Sequence, residues 1–515
     1  MQNNKKKEVK SFGTMCTDLY LWVILGIFPL HISNHYFDIT SAKSKFFLWT
    51  SGIYLVMVLL GAMIEGKFSR SELEKLRFSV ADLGAAAFAV INVISYCISI
   101  NRKESLFGAN SRYMGFVMML MLVGVYFAVS RNYEYRESVF AIFAFSSCVT
   151  YLIAIAQFFK WNVFHLQVQN TIFMSTFGNI NVCAVFFACT SVCFLLTACM
   201  KEEHIMQAYY GIIGCLGLFA IVAARSDSAY ITLVVFAVVL FYFVIWGKIS
   251  LKRVAVLLTG VECTIILIRI LTRCLPNNLG IRDYGLLFTS NRMIAVNAIV
   301  IAFCLVLGQI KGKKSICIRP KTLKIIVGSL LWIGIIAVCI FFILLVTPFA
   351  DKISPKAFSG RFYMWVGTVR YMKAQNIGRI LFGNGQEVTR NVFVKLGEID
   401  PARAQYYGSR ISSVHCDWLQ ILLTNGILGV IAYLTMIFNH IYRGLTEEIE
   451  GSKKACIYGA VMFCLAYMMQ SLVNITQPVS SPYLFVMLAV CAGVNQRKLS
   501  ASRLTHKKHK RGEKR

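Results

Sequence analysis

The stretch Ser409-Arg410-Ile411-Ser412-Ser413-Val414-His415-Cys416-Asp417-Trp418-Leu419-Gln420 joins a long polar segment to an apolar run that continues to Phe438. Ser412 or Ser413 suits a helix N-cap, and Asp417 suits the first turn, where the positive end of the helix dipole favours a carboxylate. The run that follows is long enough to cross a membrane. His415 therefore sits at the mouth of a membrane helix. Taken alone, that position is most often occupied by an ordinary interfacial histidine, and it is the segment before it that gives the residue weight.

The rest of the chain repeats the apolar pattern. Its 515 residues are 57% apolar, with a mean hydropathy of +0.63. Apolar runs of about 20 residues recur throughout, which places the chain among all-α polytopic membrane proteins. Lys5, Lys6, Lys7 and Lys10 precede the first run, no small-residue cleavage site follows it, and it reads as a retained helix. The net charge of +29 comes from short loops between apolar runs and from the tail Arg497–Arg515, without aromatic-and-basic nucleic-acid motifs; such clusters are topology signals facing anionic lipid. The 17 cysteines lie mostly inside apolar runs, such as Cys183, Cys189, Cys193 and Cys199, and read as small core residues with neither a disulfide framework nor a zinc site.

Membrane helices are expected near 15–31, 46–64, 80–100, 113–130, 138–159, 181–200, 209–224, 229–246, 254–271, 293–310, 324–347, 418–442, 455–472 and 479–495, about fourteen in all. This divides the chain into a bundle over 1–347, one large loop over 348–417, C-terminal helices over 418–495 and a basic tail over 496–515. With both termini cytoplasmic, Lys67/Arg70/Lys75/Arg77, Lys248/Lys252/Arg253 and Lys311/Lys313/Lys314/Arg319/Lys321/Lys324 fall on the inside, and the large loop is extracytoplasmic.

That loop is long for a compact fold, and such loops usually carry function. It holds ten basic residues (Lys352, Lys356, Arg361, Arg370, Lys373, Arg379, Arg390, Lys395, Arg403, Arg410) against five acids (Asp351, Glu387, Glu398, Asp400, Asp417), on a side where topology asks for no basic excess. Phe362, Trp365, Val366 and Val369 follow helical spacing, predicting a short amphipathic helix on the membrane surface with Arg361 in its first turn and Trp365 as its anchor. Gly383-Asn384-Gly385 predicts a turn or a close backbone approach. Single arginines occur in other outer loops: Arg112, Arg225, Arg282 and Arg292. Each reads either as a helix-end snorkel or, together, as an anion site. Asn179 and Asn181 lead into a helix and read either as caps or as ligand donors. Asp82, Glu262 and Arg269 are the costly residues within the membrane.

Several pieces form a known pattern: Leu106-Phe107-Gly108 with Arg112 and Gly115; Phe177-Gly178-Asn179-Ile180-Asn181; Ala224-Arg225-Ser226; Ser359-Gly360-Arg361 with Trp365; Phe382-Gly383-Asn384-Gly385; and His415 followed by Leu419, Gly426 and Gly429. In these the chain resembles the O-antigen ligase and O-antigen polymerase superfamily of bacterial membrane glycan transferases, over most of its length. Cys416 stands where that pattern has Asn. The resemblance implies a GT-C-like architecture in the bacterial cytoplasmic membrane. It also implies transfer of a saccharide chain from an undecaprenyl-pyrophosphate donor to the hydroxyl of a glycan or lipid-glycan acceptor, with no cofactor. By matching position it makes His415 catalytic and Arg361, Arg225 and Arg112 pyrophosphate ligands, with Asn179, Asn181, Asp417 and Trp365 in support.

The chemistry agrees with elementary principles. A lipid pyrophosphate is a multiply charged anion, and arginine forks with a helix N-terminus match its oxygens, so no metal is required. His415 is then either a general base or, as imidazolium, a further phosphate donor. The rival class is a lipid-linked oligosaccharide flippase, which also has many helices and basic cavities. Flippases tend to have paired halves with short loops, whereas this chain has one large loop and no internal repeat.

Overall fold

The computed structural model describes residues 11–34, 38–73, 78–108, 112–161, 173–310, 320–345, 347–354, 357–399 and 411–493. The basic tail, Lys75 and Arg77, Lys311 to Arg319, Lys356, Asp400, Arg403 and Arg410 lie outside that range.

The long helices are α1 (Phe12–Trp22, continued by a π-helical turn to Ile27), α2 (Ile39–Ile64), α3 (Val80–Cys97), α4 (Phe116–Asn132), α5 (Glu137–Phe158) and α6 (Ile180–Met200). They continue with α7 (His204–Ala224), α8 (Ser228–Ile245), α9 (Leu251–Cys274), α10 (Asn291–Ile310) and α11 (Pro320–Leu344). Three short helices follow, α12 (Phe362–Lys373), α13 (Ile377–Phe382) and α14 (Thr389–Ile399), before α15 (Asp417–Thr446), α16 (Lys454–Ser471) and α17 (Ser481–Gly493). Nine described helices are long and apolar enough to cross a membrane, and four further apolar helices are shorter. The chain is thus an all-α multi-pass membrane protein. Among the described residues, the only strand pairing joins Phe173–Met174 to Gly178–Asn179.

The centre of the bundle is α6, buried at every residue from Val182 to Met200, its four cysteines included. Neighbours approach it through glycine: a Cβ on Gly217 would lie 2.7 Å from the Ser191 Cβ, and one on Gly459 would lie 2.2 Å from Thr197 Oγ1. Close backbone approach of this kind is how helices associate where lipid supplies no hydrophobic drive. The costly polar residues are satisfied between helices. Asp82 closes a capping box with Ser79 at the start of α3, accepts from Tyr126 Oη at 2.9 Å and pairs with Arg131 at 3.2 Å. Glu262 on α9 accepts from Asn297 Nδ2 on α10 at 2.9 Å, and Arg269 donates to Asn291 Oδ1.

The N-cap of α15 is Cys416, with no side-chain cap, and not Ser412 or Ser413. Two further expectations need correction. The apolar run after Asp417 is not one continuous helix: Gly426 has φ 70° and ψ −172°, which breaks α15 into two segments. The break frees the carbonyls of Leu423 and Thr424, and the Gly383-Asn384-Gly385 turn inserts there. Asn384 N donates to Leu423 O at 3.1 Å, Asn384 Nδ2 to the same oxygen at 3.0 Å, and Gly385 N to Thr424 O at 3.1 Å. Buried side chains close the seam: Gln386 Nε2 and Asn425 Nδ2 both donate to Asn92 Oδ1, at 2.9 and 3.0 Å. Irregular backbone at membrane depth survives only when protein satisfies it in this way.

The second correction concerns α12. Its apolar stripe faces protein, with Phe362, Trp365 and Val366 all under 5% exposed. Trp365 packs on Phe341 and Phe358 and is no membrane-surface anchor, because burial in the bundle removes more apolar area than partition into headgroups.

The contact at the break is tight from both sides. A Cβ on Gly426 would lie 2.3 Å from Leu381 O, and one on Gly383 would lie 2.1 Å from Thr424 O. Gly426→Ala therefore combines left-handed strain with overpacking and should cost about 2–4 kcal/mol. Gly451→Ala, with φ 74° but open space around it, should cost about 1 kcal/mol. Thermal melting of the two variants in detergent checks the difference; equal losses would mean the seam is not tightly packed.

Candidate functional site

His415 is held by four contacts around one turn. Trp365 Nε1 donates to Val414 O at 3.1 Å, and Val414 N donates to Gln420 Oε1 at 3.0 Å. Gln420 Nε2 in turn donates to Thr389 Oγ1 at 2.7 Å, and His415 N to Ser413 Oγ at 3.1 Å. The turn puts His415 at φ 54°, a left-handed conformation costing about 1–2 kcal/mol for a residue with a Cβ. Strain of this kind persists only where surrounding contacts enforce it, and it concentrates at functional sites. Tyr113, directly after Arg112, has φ 55°; Arg225 has φ 57° and Glu387 φ 58°. The loops that carry the candidate residues are thus strained in the same way.

Two of the three arginines converge on the histidine. Arg112 donates from Nε and Nη2 to Ser412 Oγ at 3.1 and 3.0 Å, and Arg361, the residue preceding α12, donates from Nη1 to Val473 O at 2.6 Å. Burial, then the charges of Arg112 and Arg361, pushes the His415 pKa down to about 3. No hydrogen-bond partner for its ring is found among the described residues. Burial also disfavours the charge on both arginines, with Glu387 the acid that offsets it at Arg112. Just behind the turn, Asp417 is buried at the first position of α15. Thr476 lies against its carboxylate.

The remaining predicted residues form a second group. Asn179 caps α6, its Oδ1 accepting from Asn181 N at 2.8 Å, and Asn181 Oδ1 accepts from Ser226 Oγ at 2.9 Å. Both amides are therefore used within the protein, and Asn181 ties its loop to the Arg225 loop. Arg225 is half-buried, its Nε lacks a partner among the described residues, and burial together with Arg282 disfavours its charge. It is not among the charges that act on His415.

The connection between α16 and α17 links the two groups. Val473 O receives Arg361, Asn474 Nδ2 reaches Ser228 Oγ at 3.4 Å, and Thr476 lies beside Asp417. Arg112, Glu387, Ser412, Gln420 and Thr476 line a crevice with about 20 Å³ of free space, room for roughly one water. A large anion would accordingly lie across the mouth of this crevice and not inside it. No family model and no curated protein matches the chain.

Sequence reasoning missed Ser412 as the arginine's partner, Gln420 and Thr389 as the brace, and the whole α16–α17 connection. The polar run Asn474-Ile475-Thr476-Gln477 between two apolar helices was the available signal for the last of these.

A pKa of about 3 keeps the imidazole neutral from pH 5 to 8. Histidine-selective NMR of the protein in detergent should find no titration of His415 in that range. Arg361→Ala removes one positive neighbour, which favours the protonated ring and should move the transition upward in pH. A wild-type transition near 6.5 would show that the ring is solvated and free of the arginines.

Proposed function

We propose that this chain is a membrane glycan transferase of the O-antigen ligase and polymerase type, acting on an undecaprenyl-pyrophosphate-linked saccharide. The observation that carries the reading is the neutral His415 ring beside Arg112 and Arg361 at the start of α15, two guanidiniums whose charge burial disfavours. A pyrophosphate is an anion matched to those groups, and α15 adds the positive end of its dipole.

In this reading the arginines hold the donor pyrophosphate at the mouth of the crevice. The acceptor hydroxyl attacks the anomeric carbon, the bond from that carbon to the phosphate oxygen breaks, and its electron pair leaves with the pyrophosphate. His415 takes the hydroxyl proton as general base, for which a ring already neutral at physiological pH is ready. Charge growing on the leaving phosphate is stabilised where the guanidiniums stand. Direct displacement inverts the anomeric centre. Arg225 joins as a second anchor for the donor, from the loop that Asn181 and Asn474 tie to the first group.

The membrane arrangement belongs to the same proposal: about fourteen crossings, a GT-C-like architecture, both termini in the cytoplasm and the 348–417 segment outside a bacterial cytoplasmic membrane. Polymerase is preferred to ligase, since no segment resembles a protein-acceptor domain.

Purified protein with a lipid-pyrophosphate glycan and a glycan acceptor tests this. His415→Ala should lower turnover by about a hundredfold to ten-thousandfold, Arg361→Ala should weaken use of the donor, and the product should have inverted configuration. Turnover that survives both substitutions, or a retained configuration, would overturn the site. Lipid movement without product would identify a flippase.

A further inference from the structure

A second, apolar cavity lies away from His415. It is a groove of about 770 Å³ between α7 and α9, floored by small residues including Gly211, Cys215, Gly260 and Cys263. Both helices begin at the same end of the groove, so His204 and Gln207 of α7 and Lys252 and Arg253 of α9 form its mouth. The lining runs from His204 to Phe219 on one helix and from Lys252 to Leu267 on the other, about 22 Å at 1.5 Å per residue. That length covers the roughly 15 Å of hydrocarbon in one leaflet plus its headgroup layer.

The groove is open because small residues line its floor. A Cβ on Gly211 would meet only Ala198, at 3.7 Å. An apolar void in a membrane forfeits dispersion contacts on every wall unless something fills it. At the mouth, Arg253 is braced by Cys199 O at 3.1 Å, and Lys252 is exposed with no ion-pair partner among the described residues. The N-termini of both helices add positive potential at the same place. Glu202 and Glu203 are exposed beside His204, so the positive charge is on the α9 side.

We propose that this groove is a binding site for an anionic phospholipid. An acyl chain fills the channel floored by Gly211 and Gly260, and the headgroup phosphate lies against Lys252 and Arg253. The site belongs to the leaflet at the end of the bundle opposite His415 and is independent of the transferase reading.

Native mass spectrometry of the full chain in detergent, with dioleoyl phosphatidylglycerol or dioleoyl phosphatidylcholine added in equal amounts, tests the proposal. One phosphatidylglycerol should be retained under activation that strips phosphatidylcholine. Lys252→Ala should weaken retention about fivefold, as expected for one surface cation facing a lipid phosphate. Gly211→Leu should abolish it by occupying the channel, and Val256→Trp, on the exposed lip, provides a second blocking variant should the first fail to fold. Equal retention of the two lipids, or retention unchanged by both blocking variants, would overturn the proposal. A protein dimer dissolved by Gly211→Leu would assign the groove to a second copy of the chain instead, and inorganic phosphate competing as well as the lipid would remove the acyl chain's role.

Discussion

The hydrogen bonds from Asn384 and Gly385 to Leu423 and Thr424 are the constraint on which the rest of the site depends. A helix broken at membrane depth leaves carbonyls that lipid cannot satisfy, and each costs several kcal/mol if left bare. The turn satisfies them only because three glycines permit the approach: Gly383, Gly385 and Gly426, all at positive φ. Once the seam is closed, the first segment of α15 is fixed in direction. Its N-terminal turn, with His415, Cys416 and Asp417, can then be braced by Trp365 and by the Gln420–Thr389 pair.

Charge is handled in more than one way across the bundle. Away from His415, four basic side chains are matched by acids: Arg136 with Asp18 at 2.8 Å, Lys201 with Glu137, Lys248 with Glu448, and Arg443 with Glu447 at 2.8 Å. Around His415, arginines donate to a hydroxyl and a backbone carbonyl, neutral acceptors, and Glu387 is the acid that offsets the charge of Arg112. The cost of that arrangement is electrostatic, since burial disfavours the charge on both arginines. The neutral state of the histidine follows first from its burial and then from the charges of Arg112 and Arg361.

The short connection between α16 and α17 has a mechanical role out of proportion to its length. Through Val473, Asn474 and Thr476 it touches the Arg361 loop, the Arg225–Ser228 loop and the base of the His415 turn. Left-handed residues at Tyr113, Arg225, Glu387 and His415 indicate that these loops are pulled into place by their partners and not by local preference.

Much of this was legible before any fold was known. Repeated apolar runs determined an all-α membrane chain, because backbone groups in lipid must bond within their own helix. His415, Arg112, Arg225 and Arg361 were expected from the sequence to form one anion site; in the fold the charges of Arg112 and Arg361 act on His415, and Arg225 does not. Other features had no local signature. Trp365 looked like a surface anchor because helical spacing records which residues share a face, not what that face meets. The break at Gly426 was hidden in an apolar run, since one glycine is compatible with a continuous helix until a second segment offers donors to its freed carbonyls. Those donors lie about forty positions earlier in the chain. Sequence alone thus determined which residues are costly and which segments are helical; only tertiary structure decided which distant groups satisfy them, because that depends on the packing of segments far apart in the chain.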